Sequence, residues 1–183
     1  FYFYSLEITE IYAITRFMCV KTAPKLSCTH IVILTDAMPR VHRALAQFKL
    51  DTHTTENALT EVNGPVMIRD SAMLGTGQLP KFSEDSYQTT NGWWLIPTSE
   101  VTLTNIVAGH PLDEDYLPRR YVAHSLCFRS EAGSAGRATS GMLPQHQFEK
   151  VEMVYVVKPT ASDAAPDRRT HFAQDLLQRR GLS

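Results

Sequence analysis

Cysteine is scarce in this chain: Cys19, Cys28 and Cys127 are the only three among 183 residues, and no two are spaced as CxxC. An odd, scattered set excludes a disulfide framework and argues against a structural zinc, so reduced thiols are expected. Long apolar runs are missing too. "FYFYSLEITEIYAITRFMCV" comes nearest, but Glu7, Glu10 and Arg16 interrupt it, and it has no basic segment ahead of it. Neither a transmembrane helix nor a signal peptide is expected. Charge of one sign is also lacking, since the formal net charge is −1. That excludes a globally basic nucleic-acid binder and leaves room for a local anion site, which needs only a few placed donors. There is no internal repeat and no low-complexity linker. What remains, 43% hydrophobic and 20% charged residues, is the composition of a globular domain with a sizeable core. The expected compartment is cytoplasmic, with an organelle as the alternative origin.

Residues 1–38 are apolar and aromatic without a clear period, and form an unassigned N-terminal segment that holds a strand or a short helix. From Pro39 the pattern sharpens. "PRVHRALAQFKLDTHTTEN" places Val41, Leu45, Phe48 and Thr52 on one helical stripe with Ala44 beside it, and Pro39 suits the first turn. "LTEVNGPVMI" predicts two short extended segments broken at Asn63-Gly64-Pro65, and "SAMLGTGQLPKFSED" a loop. A turn at "QTTNG" leads into a "WWLIP" strand. In "TSEVTLTNIVAG" Thr98 caps a helix on which Val101, Asn105 and Ala108 share a face. "LPRRYVAHSLCF" and "HQFEKVEMVYVV" are strands, and "SDAAPDRRTHFAQDLLQRRG" is an amphipathic helix with Ser162 near its start and Gly181 just past its end. Extended segments separated by helices around a long hairpin predict an α+β fold with a mostly antiparallel sheet.

The central hairpin carries the chemistry. Alternation puts Phe148, Lys150 and Glu152 on one face of the return strand, and Val151, Met153 and Tyr155 on the other. Arg129 and Glu131 project together at the end of the first strand. Guanidinium, carboxylates and an aromatic ring on one face suit a flat, charged ligand. The alternative is a solvated face with cross-strand Arg–Glu pairs. The joining stretch "AGSAGRATSGML", with Gly133, Gly136 and Gly141, is far longer than a hairpin turn of two to five residues and favours a binding loop.

"FRSEAGSAGRATSG...HQFEKVEMV" resembles motif 2 of the seryl-tRNA synthetases, a class II family. "LTEVNGPVMI" resembles the motif 1 region, "MLGTGQLPKF" the segment after it, and "WWLIPTSEVTLTN" the serine-site stretch, in the family's order and spacing from about Val41 to Val157. The resemblance implies a class II synthetase-like mixed sheet flanked by helices, incomplete here, over residues 39–183. It implies an enzyme that activates L-serine with ATP to seryl-adenylate and transfers the seryl group to tRNA(Ser). By this likeness Arg129 is the catalytic arginine. Arg129, Ser130, Glu131, Gln145 and Phe148 bind ATP, and Thr98, Ser99, Glu100, Arg129 and Glu152 bind serine. Mg²⁺ is expected to accompany ATP, bridging phosphate oxygens. No metal ligand is expected among this chain's own residues, because the family's acidic metal-binding segment is expected past Ser183. Pro65 matches the motif 1 proline of a homodimer interface.

Three departures temper the expected activity. The chain opens on Phe1 and stops at Ser183, before the place where motif 3 is expected, and an N-terminal tRNA-gripping arm is missing. In the motif 2 loop Ala138, Ser140 and Pro144 stand where the family commonly has Asp, Arg and Arg, and the two lost cations weaken anion binding. The expectation is a partial catalytic domain, inactive in isolation. The alternatives are a non-catalytic, dimer-forming degenerate fragment, and a paralogue that loads an amino acid onto a carrier protein.

Overall fold

The computed structural model describes residues 18–19, 23–27, 31–130, 145–162 and 164–179. Strands β1 (Met18–Cys19) and β2 (Ile33–Leu34) pair antiparallel, with helix α1 (Ala23–Leu26) between them. The principal helix, α2 (Met38–Thr55), has proline in its first turn. Then come β3 (Thr60–Glu61), β4 (Met67–Ile68), α3 (Asp70–Gly75), β5 (Trp94–Leu95) and α4 (Ser99–Asn105). The long strands β6 (Arg119–Phe128) and β7 (Gln147–Val156) follow, and α5 (Ala164–Gln178) ends the described chain. The sheet order is β3-β6-β7, with β3 parallel to β6 and β7 antiparallel, while β4 and β5 form a separate antiparallel pair. The predicted α+β class holds, with one parallel pairing making the sheet mixed.

Alternation along the hairpin creates two faces, each with its own cover. On one face Val122, Val151, Met153 and Tyr155 pack with Leu50 of α2, Leu59 and Phe172 of α5. On the other, α4 lies against the hairpin and brings buried Ser99 beside Ser125. Val122 and Ala123 are both buried because the middle of β6 is covered from both sides. A second core cluster, Ile68, Met73, Ile96 and Val101, fixes β4, α3 and α4 to one another. Each such side chain contributes roughly 1.5–3 kcal/mol by leaving water.

Two sequence expectations change. Of the predicted α2 stripe Thr52 is buried and Leu45 and Phe48 are partly so, but Val41 is exposed, as is Ala44, and the core face shifts to take in Leu50 and His53. Thr52 turns its hydroxyl to the Phe48 carbonyl, and His53 is hydrogen-bonded to Asn57 at 3.1 Å, so both polar residues are tolerated inside. Burial, helped by Lys49, lowers the His53 pKa and keeps the ring neutral. The stretch predicted as a loop after Ile68 begins with α3, which is too short to print a helical period in the sequence. In α4, Val101 and Asn105 do lie one turn apart, but the helix ends at Asn105, before Ala108.

Two backbone positions point in opposite directions. A Cβ on Gly64 would meet Thr102 Cγ2 far inside contact distance. Thr102 cannot turn away freely, because its hydroxyl donates to the Pro65 carbonyl at 3.0 Å. Ala58, after α2, has φ of +53°, where an L side chain is strained. Gly64→Ala should therefore destabilise the domain by about 1–3 kcal/mol, with partial recovery in Gly64→Ala/Thr102→Ser. Ala58→Gly should stabilise it by about 0.5–1 kcal/mol, strain relief exceeding the entropic cost of glycine. Denaturant unfolding measures both; a silent Gly64→Ala contradicts the packing argument.

A polar clasp joins α2 to the hairpin. His42 Nε2 and His124 Nε2 lie 2.9 and 2.7 Å from the same oxygen of Glu149. Burial raises the Glu149 pKa, but hydrogen bonds and charge from His42 and His124 outweigh it, so the net shift is downward. A carboxyl held below its unfolded pKa adds stability that is present above that unfolded value and is lost as pH falls through the folded one. The melting temperature of the parent chain should exceed that of Glu149→Gln near neutral pH. The gap should close as pH drops below about 4–5, the ordinary carboxylate range. A gap that does not change with pH would show that the clasp is not ionic.

Candidate active site

One hairpin face converges on the start of α4. The chain reaches it through three backbone levels: Ile96 N–H donates to the Val66 carbonyl at 2.9 Å, and Phe128 N–H to the Ile96 carbonyl at 2.9 Å. This stitching holds Pro97 and Thr98 against the hairpin. Thr98 is extended (φ −164°, ψ 148°), as an N-cap residue should be, and accepts a long 3.5 Å contact from the Glu100 N–H. The same hydroxyl donates to Glu152 Oε2 at 2.7 Å and accepts from Lys150 Nζ at 3.2 Å. Lys150 also forms an ion pair with Glu152 Oε2.

Thr98 thus acts as a junction between helix cap and hairpin, and its oxygen is fully used. The Glu152 side chain is only 12% exposed, and among the described residues its contacts are all made through Oε2. Oε1 therefore remains available to an external donor. Lys150, two residues before Glu152, was not among the predicted site residues, although alternation already placed it on that face. Ser99 is buried, with its hydroxyl 2.5 Å from that of Ser125. Ser125 in turn lies 3.7 Å from the buried Cys127 thiol, whose pKa burial raises, so it stays protonated. Glu100 is exposed at the first turn of α4.

Arg129 stands just past β6, its guanidinium 5.3 Å from the centre of the Phe148 ring, a cation–π separation. Its backbone is fixed from two sides. The Arg129 N–H donates to the His146 carbonyl at 3.0 Å. His146 Nδ1 lies 3.0 Å from the Arg129 carbonyl and 2.7 Å from the Tyr87 hydroxyl. A carbonyl can only accept, so a proton on Nδ1 satisfies both contacts, with the Tyr87 oxygen as the second acceptor. Next along the chain, Ser130 N–H donates to the Asp85 carbonyl at 2.9 Å and its hydroxyl to the Glu84 carbonyl at 2.5 Å. The 84–87 segment thus buttresses the strand end, a role that no motif in that segment signals.

Gln145, partly exposed, precedes His146 at the foot of β7. Thr98, Ser99, Lys150 and Glu152 are therefore brought together, with Arg129 and Phe148 as a second group on the same hairpin. Glu131, Ala138, Ser140 and Pro144 lie outside the described residues. Among the described residues no three His, Cys, Asp or Glu side chains could hold a metal ion.

Residues 82–183 match the tRNA synthetase class II core domain (G, H, P, S and T). The chain is 63% identical over 98% of its length to a serine–tRNA ligase of Jannaschia sp., and 64% identical over 90% to that of Ruegeria pomeroyi, covering 42% and 38% of those proteins. It thus spans about two fifths of the length of these curated relatives. The crystal structure of seryl-tRNA synthetase from Pyrococcus horikoshii complexed with ATP superposes with a TM-score of 0.85 at 32% identity, over 95% of this chain and 39% of that one. With a matched core domain and a shared fold, the chain belongs to the family of the tRNA synthetase class II core domain (G, H, P, S and T).

Proposed function

We propose that this chain forms the part of a serine–tRNA ligase, residues 39–183, that activates L-serine with ATP, for transfer of the seryl group to tRNA(Ser) by the whole protein. The observation that carries the reading is the junction of Thr98, Lys150 and Glu152 on the same hairpin as the Arg129–Phe148 pair. In the activation step the serine carboxylate attacks the α-phosphorus of ATP, forming the acyl phosphate bond of seryl-adenylate and releasing pyrophosphate. Two anions must approach each other, so positioned positive charge is the main requirement.

In this reading Arg129 spans the α-phosphate and the serine carboxylate with its planar fork of donors. Phe148 offers its ring to adenine, and Ser130, Glu131 and Gln145 complete the ATP contacts. Glu152 Oε1 and Glu100 receive the serine ammonium and hydroxyl, while Lys150 and Thr98 hold Glu152 in orientation. Ser99 supports the floor through Ser125. A site built to pair a hydroxyl rejects amino acids without one, because its own polar groups would be left unpaired. Mg²⁺ would travel on the phosphate oxygens of ATP, as its coordination chemistry favours.

The same reading makes the protein a homodimer through the region of Pro65, and the cytosol its compartment. The exposed apolar side chain of Met67, two residues along, supports an interface there. No described helix is long and apolar enough to cross a membrane.

In the whole ligase, Arg129→Ala should slow single-turnover adenylate formation by about a hundred- to a thousandfold, the worth of one transition-state donor at roughly 3–4 kcal/mol. Arg129→Lys should restore only part of the rate, since it keeps the charge and loses the fork. Thermal stability should change by no more than about 1 kcal/mol, the scale of an exposed cation–π contact. If Arg129→Ala melts earlier yet activates serine normally, the arginine is a strand-end packing residue and the reading fails.

A further inference from the structure

At the end of the hairpin remote from Arg129, the first turns of α5 leave a cavity of about 400 Å³. Its lining includes Leu117, Pro118, Arg120, Tyr155, Lys158 and Arg168. The wall is chemically one-sided. Arg120 and Tyr155 are directly opposite each other across β6 and β7, and Arg168 comes from α5. Lys158 is committed to Glu114 at 2.7 Å, but among the described residues Arg120 and Arg168 make no salt bridge. The Tyr155 hydroxyl and Arg169 Nε are buried and have no hydrogen-bond partner among the described residues. Burial raises the Tyr155 pKa against the pull of Arg120, Arg168 and Arg169, so the phenol stays protonated and can donate.

Buried polar atoms ordinarily have partners, and an uncompensated group of cations beside a phenol donor is the reverse of what an apolar core needs. We propose that this cavity is a second anion site, distinct from the ATP site, which takes a phosphate group clamped by Arg120 and Arg168, with the Tyr155 hydroxyl as its neutral donor. Guanidinium forks match phosphate oxygens in pairs. The volume exceeds that of a bare phosphate and falls in the range of small-molecule sites, which favours a small phosphate ester. A nucleic-acid phosphodiester presents the same chemistry.

Inorganic phosphate titrated into the full chain, followed by calorimetry, tests the proposal, with an unphosphorylated oligoribonucleotide as the second arm. Arg168 is exposed, so Arg168→Ala leaves the fold intact; Tyr155→Phe removes only the hydroxyl. Phosphate affinity should fall about tenfold or more in Arg168→Ala and about three- to tenfold in Tyr155→Phe, the worth of one charged and one neutral hydrogen bond. It should persist in Arg129→Ala. An Arg168-dependent response to the oligonucleotide alone would make the phosphodiester the source of the phosphate group. If neither ligand's affinity depends on Arg168, or phosphate binding vanishes in Arg129→Ala alone, the second site does not exist.

Discussion

Ten consecutive antiparallel pairs, from Arg119 with Val156 to Phe128 with Gln147, lock β6 to β7. A slip of one residue would exchange the faces, sending Val151 and Met153 to α4 and Lys150 and Glu152 into the α2 side. Burying that ion pair against Leu50 and Leu59 would be costly without its Thr98 partner. The hydrophobic cluster on one side therefore sets the register that displays the polar cluster on the other. Packing and function are specified by the same alternation.

The Thr98 junction shows how that register is read by the rest of the molecule. The α4 N-cap, the Lys150 ammonium and the Glu152 carboxylate all meet one hydroxyl oxygen. A β-branched side chain in an extended cap conformation has few rotamers to lose, so the carboxylate is oriented before any ligand arrives. Such preorganisation is the condition under which a charged site discriminates rather than merely attracts. Ion pairing alone would add little net stability in so covered a place, because taking both charges out of water offsets their attraction. Its value lies in direction.

Much of this was legible in the sequence because the hairpin is long and its period is two. Phe148, Lys150 and Glu152 declare a face by spacing alone, and the motif resemblance supplied the order of the flanking segments. Short elements were not legible in the same way. The α3 segment has too few residues to display a period, and α2 hides part of its core face because His53 is polar by type and is buried with a hydrogen bond to Asn57. The buttress of Tyr87, His146 and Ser130 was missed for another reason: most of its bonds run to backbone carbonyls, which leave no mark on residue identity. Lys150 was visible but not assigned, since its contacts with Thr98 and Glu152, which separate it from a solvated lysine, leave no mark on residue type.

Charge along the hairpin follows the same economy. In its middle, Lys150 offsets Glu152 and two histidines engage Glu149, so this stretch is compensated internally. At its ends, among the described residues, it is not: Arg129 lies over an aromatic ring and Arg120 beside a phenol, and neither makes a salt bridge. The two arginines are nine residues apart in number, about 30 Å along extended chain. That is several times the Debye length of about 8 Å at physiological ionic strength. An anion at one end would not be felt electrostatically at the other. Any coupling between them must pass through the hairpin's own rigidity, by way of the α2 and α5 contacts that grip its apolar face. The fold thus separates its two cationic ends electrostatically while joining them mechanically.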